Sequence, residues 1–61
     1  MQKWYTEDFS TLDPRSEKKG LMEVMSFANK HGLKPEEFKI GPMDKHWIIT
    51  ILYYSDRQLE K

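Results

Sequence analysis

Cysteine is absent from this 61-residue chain. Without thiols, neither a disulfide nor a thiolate metal site can brace the fold. That absence matters at this length, because a domain of about 60 residues buries only about 60% of the surface its unfolded chain exposes. Small folds usually add a disulfide, a metal or a partner subunit. What remains is a compact core, an oligomer, or both. There is also no apolar run approaching the roughly 18 residues that a membrane span requires. The N-terminal Met1-Gln2-Lys3 lacks the apolar region of a secretory leader. A cytoplasmic protein that begins at Met1 as a complete small gene product is therefore expected. Net charge is missing too, since ten basic and ten acidic residues cancel. Nucleic-acid modules gain much of their affinity from a basic excess, so the balance argues against that class without forbidding a local basic patch.

What the chain does contain is aromatic and β-branched side chains, concentrated in one stretch. His46-Trp47-Ile48-Ile49-Thr50-Ile51-Leu52-Tyr53-Tyr54 has no proline or glycine. Its residue types suit a pleated surface, and its length suits a strand better than a buried helix. Alternation places Trp47, Ile49, Ile51 and Tyr53 on one face and Ile48, Thr50, Leu52 and Tyr54 on the other. Both faces are apolar, and the first set is assigned to the core.

The remaining elements follow from punctuation. Gln2 to Thr6 reads as a short first strand that Glu7-Asp8 interrupts, leaving Phe9 and Leu12 as isolated apolar anchors in a loop. Asp13-Pro14 marks a helix start, with aspartate as N-cap and proline at the first helical position. A helix over 14–31 carries Leu21, Val24, Met25 and Ala28 at helical spacing, with Met22 and Phe27 on its flanks. Gly20 costs about 1 kcal/mol against alanine inside that helix and marks a kink or a late start. Gly32 fits a left-handed C-terminal position with Leu33 folded back on Ala28. Phe38-Lys39-Ile40, within 37–40, alternates as a second strand. Turn residues 41–45 then lead into the long strand over 46–54 as an antiparallel hairpin. Residues 55–61 read as a polar, frayed tail. The expected architecture is a single α+β domain, β-α-β-β. Its three-stranded antiparallel sheet has order 1-3-2, a right-handed crossover and one helix on one face. This element order, with an aliphatic last strand ending in Tyr54, resembles that of small spore-former proteins and assigns no activity. The layout is generic among small bacterial and phage proteins.

Sites for chemistry are few. His31 and His46 lack zinc-ligand spacing, so no metal or cofactor is expected. Ser10, Ser16, Ser26 and Ser55 lie in no nucleophile motif, and Glu7-Asp8 and Glu36-Glu37 look like solvated loop carboxylates, so no enzyme activity is expected. A binding protein remains: a regulator, adaptor or inhibitor whose sheet carries more apolar surface than one helix covers. Ile48, Thr50, Leu52 and Tyr54, with Lys39 beside them, form the expected contact face, for a protein partner or a second copy of the chain. The alternative is a nucleic-acid module that stacks bases on Trp4, Tyr5, Trp47, Tyr53 and Tyr54.

Overall fold

A computed structural model describes all residues 1–61. Strand β1 runs Lys3–Ser10, helix α1 Glu17–Lys30, strand β2 Phe38–Ile40 and strand β3 Ile48–Ser55, with single 3-10 turns at Pro14–Ser16 and Pro35–Glu37. The sheet is antiparallel throughout in the order β1-β3-β2. The most apolar strand therefore lies between two neighbours, as its composition requires. α1 covers one face, so the architecture is α+β.

The first strand is longer than the 2–6 segment expected from sequence, because pairing outweighs local preference. All eight residues of β1 pair with β3, from Lys3 opposite Ser55 to Ser10 opposite Ile48. The two acidic residues that were expected to interrupt it fall on opposite faces. Asp8 accepts a hydrogen bond from the Thr50 hydroxyl at 2.9 Å, and Glu7 lies 3.7 Å from the Lys61 ammonium. Strand preference depends on such neighbours more than on the residue alone. The extension carries Phe9 into the core instead of leaving it in a loop.

The helix is rotated relative to the stripe read from sequence. Gly20, Val24, Phe27 and Ala28 are its buried residues, while Leu21 and Met25 remain 38% and 42% exposed. At about 100° per residue this is a roll of roughly 65°. Gly20 permits it. Having no side chain, it lets the helix approach Thr11 and Ile49, and it explains why a residue unfavourable in helices stands there. The roll drives Phe27 between Phe9 and Tyr53, edge-on to both at ring separations of 5.6 and 5.5 Å. Tyr5 stacks on Tyr53 from the neighbouring strand at 5.8 Å. The core is thus Phe9, Val24, Phe27, Ala28, Ile49, Ile51 and Tyr53, with Phe38, Ile40, Leu33, Met43 and Leu59 packed around it.

Element ends show their causes. Asp13 caps the 3-10 turn by accepting from the Arg15 N–H at 2.9 Å, with Pro14 in the first position, and the α-helix proper begins at Glu17. Gly32 has φ +65°. The Leu33 N–H reaches back to the Ala28 carbonyl and the Gly32 N–H to the Asn29 carbonyl, at 2.9 and 3.1 Å. These two bonds close a Schellman motif.

Two further differences matter for function. Trp47 does not join the core face. It has φ +60° just before β3 begins and is 42% exposed. The loop is closed by Asp44, whose carboxylate accepts from the His46 and Ile48 N–H groups at 2.8 and 3.0 Å. The Trp47 N–H donates to the Asp44 carbonyl at 3.0 Å, and that closure ends the strand alternation at Ile48. The C-terminal segment is not frayed. Leu59 packs on the core and its N–H donates to the buried Tyr53 hydroxyl at 2.8 Å. His31 Nε2 donates to the Glu60 carbonyl at 2.6 Å, and Lys30 donates to the Lys61 carbonyl at 3.1 Å.

Candidate functional site

The face of the sheet opposite α1 is built by alternation along three strands. From β3 it presents Ile48, Thr50, Leu52 and Tyr54. The β1 register sets Ser10, Asp8, Thr6 and Trp4 directly opposite these four. β2 contributes Lys39, which pairs with Leu52. Every residue expected from sequence on this face is therefore brought together there. No element of the chain covers it.

Its chemistry is arranged in bands. At one end Trp4 and Tyr54 pack against each other, with ring centroids 5.2 Å apart and planes tilted by 48°. Leu52 follows, flanked by Thr6 and Lys39. The Thr50–Asp8 hydrogen bond forms a polar midpoint, and Ile48 closes the row beside Ser10. Trp4 is 46% exposed, and Ile48, Leu52 and Tyr54 are half-buried by their neighbours alone. The sequence places Trp4 only among the base-stacking candidates. The signal that places it on this face is its register opposite Tyr54, which depends on β1 running to Ser10.

The aromatic residues considered for base stacking do not gather on one surface. Tyr53 is fully buried, Tyr5 stacks on it from the helix side, and Trp47 stands in the loop. Only Trp4 and Tyr54 share the open face, and there they contact each other.

Several titratable groups are committed to structure. The Asp44 carboxyl is held below the ordinary aspartate range, chiefly by the hydrogen bond from the Ile48 N–H and secondarily by the one from the His46 N–H. Both bonds stabilise the charged form. His31 lies edge-on to Phe27 at 4.9 Å and holds Glu60, whereas His46 stands in the loop before β3. The two histidines thus belong to different parts of the fold. No helix is long and apolar enough to cross a membrane. No protein-family model, curated protein or solved structure matches this chain.

Proposed function

We propose that this chain is a non-catalytic protein-binding module that acts through the outer face of its sheet, in the manner of a small regulator, adaptor or inhibitor. One observation carries the reading: Trp4, Ile48, Leu52 and Tyr54 form an apolar row along the two longest strands on the face opposite α1, where Trp4 is exposed and the other three are partly exposed. Full burial of an exposed aliphatic or aromatic side chain contributes about 1.5–3 kcal/mol; Trp4 has about half of that to gain, and the partly shielded Ile48, Leu52 and Tyr54 a smaller fraction each. Lys39 and the Thr50–Asp8 pair supply polar groups within and beside the row, the mixture common to protein interfaces. A second copy of the same sheet, packed face to face about a twofold axis, is the simplest closed occupant. The short β2 edge offers less, because Pro35 and Pro42 lie just beyond its ends and proline cannot donate to a ladder.

The test uses the intact chain and its Leu52→Lys variant. Leu52 lies on the outer face, so the variant should keep the wild-type circular dichroism and melting profile. Sedimentation of the wild type at high micromolar concentration separates the two kinds of occupant, as a dimer indicates self-association and a monomer a foreign partner. Partners captured from host lysate by the wild type should be lost by the variant. If both proteins retain the same partners and the same association state, the outer face is not the interface.

A further inference from the structure

We infer that the groove between α1 and the open edge of β1 takes an extended acidic peptide segment, which adds to the sheet as a fourth strand. This is a second surface, at the β1 edge and on the helix side of the sheet, adjoining the outer face along β1.

The backbone of β1 leaves one edge of the sheet open. The Thr11 N–H donates to the Trp47 carbonyl at 2.8 Å, one step beyond the Ser10–Ile48 pair. Hydrogen-bonded pairs alternate in an antiparallel ladder. With Thr11 bonded to β3, so are Phe9, Glu7 and Tyr5, whereas Ser10, Asp8, Thr6 and Trp4 turn their N–H and C=O groups to the open edge. On the other side of the sheet, the Gly41 N–H bonds the Thr50 carbonyl at 2.9 Å, as the same phase requires. An edge of this kind is a template for another strand.

The groove itself is a depression of about 660 Å³ between β1 and the flank of α1. Phe9, Phe27 and Met22 give it an apolar floor, and Lys19, Lys30 and Lys61 stand around it. The helix contributes its Lys19, Glu23, Ser26 and Lys30 row, which lies on one flank by spacing. Glu7 is taken up by Lys61 at 3.7 Å. No Asp or Glu carboxylate lies within 4 Å of Lys19 or Lys30, and Lys30 holds the main-chain oxygen of Lys61 at 3.1 Å. Glu23 is thus the one acidic residue lining the groove. By side chains, the groove sets Lys19, Lys30 and Lys61 against Glu23 and Glu7, an excess of one positive charge.

One end of the groove already holds peptide backbone. Lys30 donates to the Lys61 carbonyl at 3.1 Å, and the Lys61 ammonium lies 4.8 Å from the centre of the Phe9 ring. An added strand therefore takes the place of Lys61 at this end.

These positions define a pattern for the occupant. A strand added to β1 points alternate side chains into the groove. At 1.5 Å per residue, Lys30 and Lys19 lie roughly 16 Å apart along the helix. The first and fifth residues of a strand lie about 14 Å apart. An acidic residue at each of those positions meets one lysine, with Lys30 exchanging the Lys61 oxygen for it, and an aliphatic residue at the third displaces the Lys61 side chain from Phe9 and lies against Met22 and Phe27. The pattern is acid, any, aliphatic, any, acid.

The experiment is a fluorescence-anisotropy titration of the intact protein with a labelled peptide, Ser-Glu-Thr-Val-Thr-Glu-Ser, at low ionic strength. Saturable binding is expected. Replacing both glutamates of the peptide by lysine should weaken it by at least about tenfold, as should replacing a threonine by proline, which removes an edge hydrogen bond. The Lys19→Glu/Lys30→Glu protein should lose binding to a similar degree. If that variant melts abnormally, Lys19→Gln/Lys30→Gln supplies the same comparison. Leu52→Lys should bind the peptide as the wild type does, which separates this site from the outer face. No saturable binding, equal binding of the lysine peptide, or tolerance of proline would overturn the proposal. So would tighter binding of a ten-residue thymidine oligonucleotide, which would assign the groove to nucleic acid.

Discussion

Gly20→Ala tests how closely the helix is packed, because two effects of opposite sign meet at that residue. In an ordinary helix interior, alanine is favoured over glycine by about 1 kcal/mol, so local propensity calls for stabilisation. The surroundings oppose it. A methyl group at Gly20 would stand 2.6 Å from Thr11 Cγ2 and 2.9 Å from Ile49 Cδ1, where carbon atoms are comfortable at about 3.5–4.0 Å. Thr11 cannot turn away freely, since its hydroxyl donates to the Trp47 carbonyl at 2.7 Å and lies 3.4 Å from the Met43 sulfur. Ile49 is fully buried. The helix must therefore lift off the sheet by about 1 Å, at an overpacking cost of about 1–3 kcal/mol. The net expectation is a loss of about 1 kcal/mol, which for a domain near this size lowers Tm by about 4–8 °C. Urea and thermal unfolding of the variant, beside the exposed helix control Ser26→Ala, measure it. A Gly20→Ala protein more stable than wild type would refute the close approach of α1 and the rotation built on it.

Three further predictions concern other parts of the fold. Phe27→Ala should cost about 3–5 kcal/mol and unfold much of the population, whereas Met25→Ala, half exposed on the same helix, should cost about 1 kcal/mol or less; equal losses in denaturant unfolding would place the helix on its other flank. Tyr53→Phe removes the acceptor for the Leu59 N–H and should cost about 0.5–1.5 kcal/mol while releasing the C-terminal segment. Faster hydrogen exchange at the Leu59 amide reads this out, and unchanged exchange would show that the segment is held without that bond. Asp44 has a lowered folded-state pKa, so its contribution is present above the unfolded value of about 3.9 and is lost as pH falls through the lower folded value. Asp44→Ala should accordingly melt below wild type at neutral pH, with the difference closing in the acid range; a difference independent of pH would sink the assignment.

The element order and the sheet were legible because β3 is the most apolar stretch and because Gly32, Pro14 and residues 41–45 punctuate the chain. The outer-face residues were legible for the same reason, as strand alternation leaves only two ways to divide β3. The parts that were not legible depend on tertiary contacts. Nothing local says that Glu7 and Asp8 continue a strand. Their partners, Lys61 and Thr50, lie more than 40 residues away. The helical stripe was misplaced because Gly20 scores as a poor helix residue, while its lack of a side chain is what sets the helix position. Tyr53, Leu59 and His31 gave no sequence signal of holding the C-terminal segment, since each bond joins a residue to a single backbone group that any sequence would offer. The Trp47 turn was missed because the apolar run continues through it without a break in composition.

The outer sheet face is the proposed binding surface. Methyl NMR of the intact protein tests this directly, by concentration series for self-association or by cross-saturation from a captured partner. The isoleucine and leucine methyls divide cleanly, with Ile48 and Leu52 on the outer face and Ile49 and Ile51 fully buried under α1. The expected result is that Ile48 and Leu52 shift or saturate together while Ile49 and Ile51 remain unaffected. Perturbation confined to other methyls, such as the exposed Leu12 and Leu21, with Ile48 and Leu52 unmoved, would contradict it.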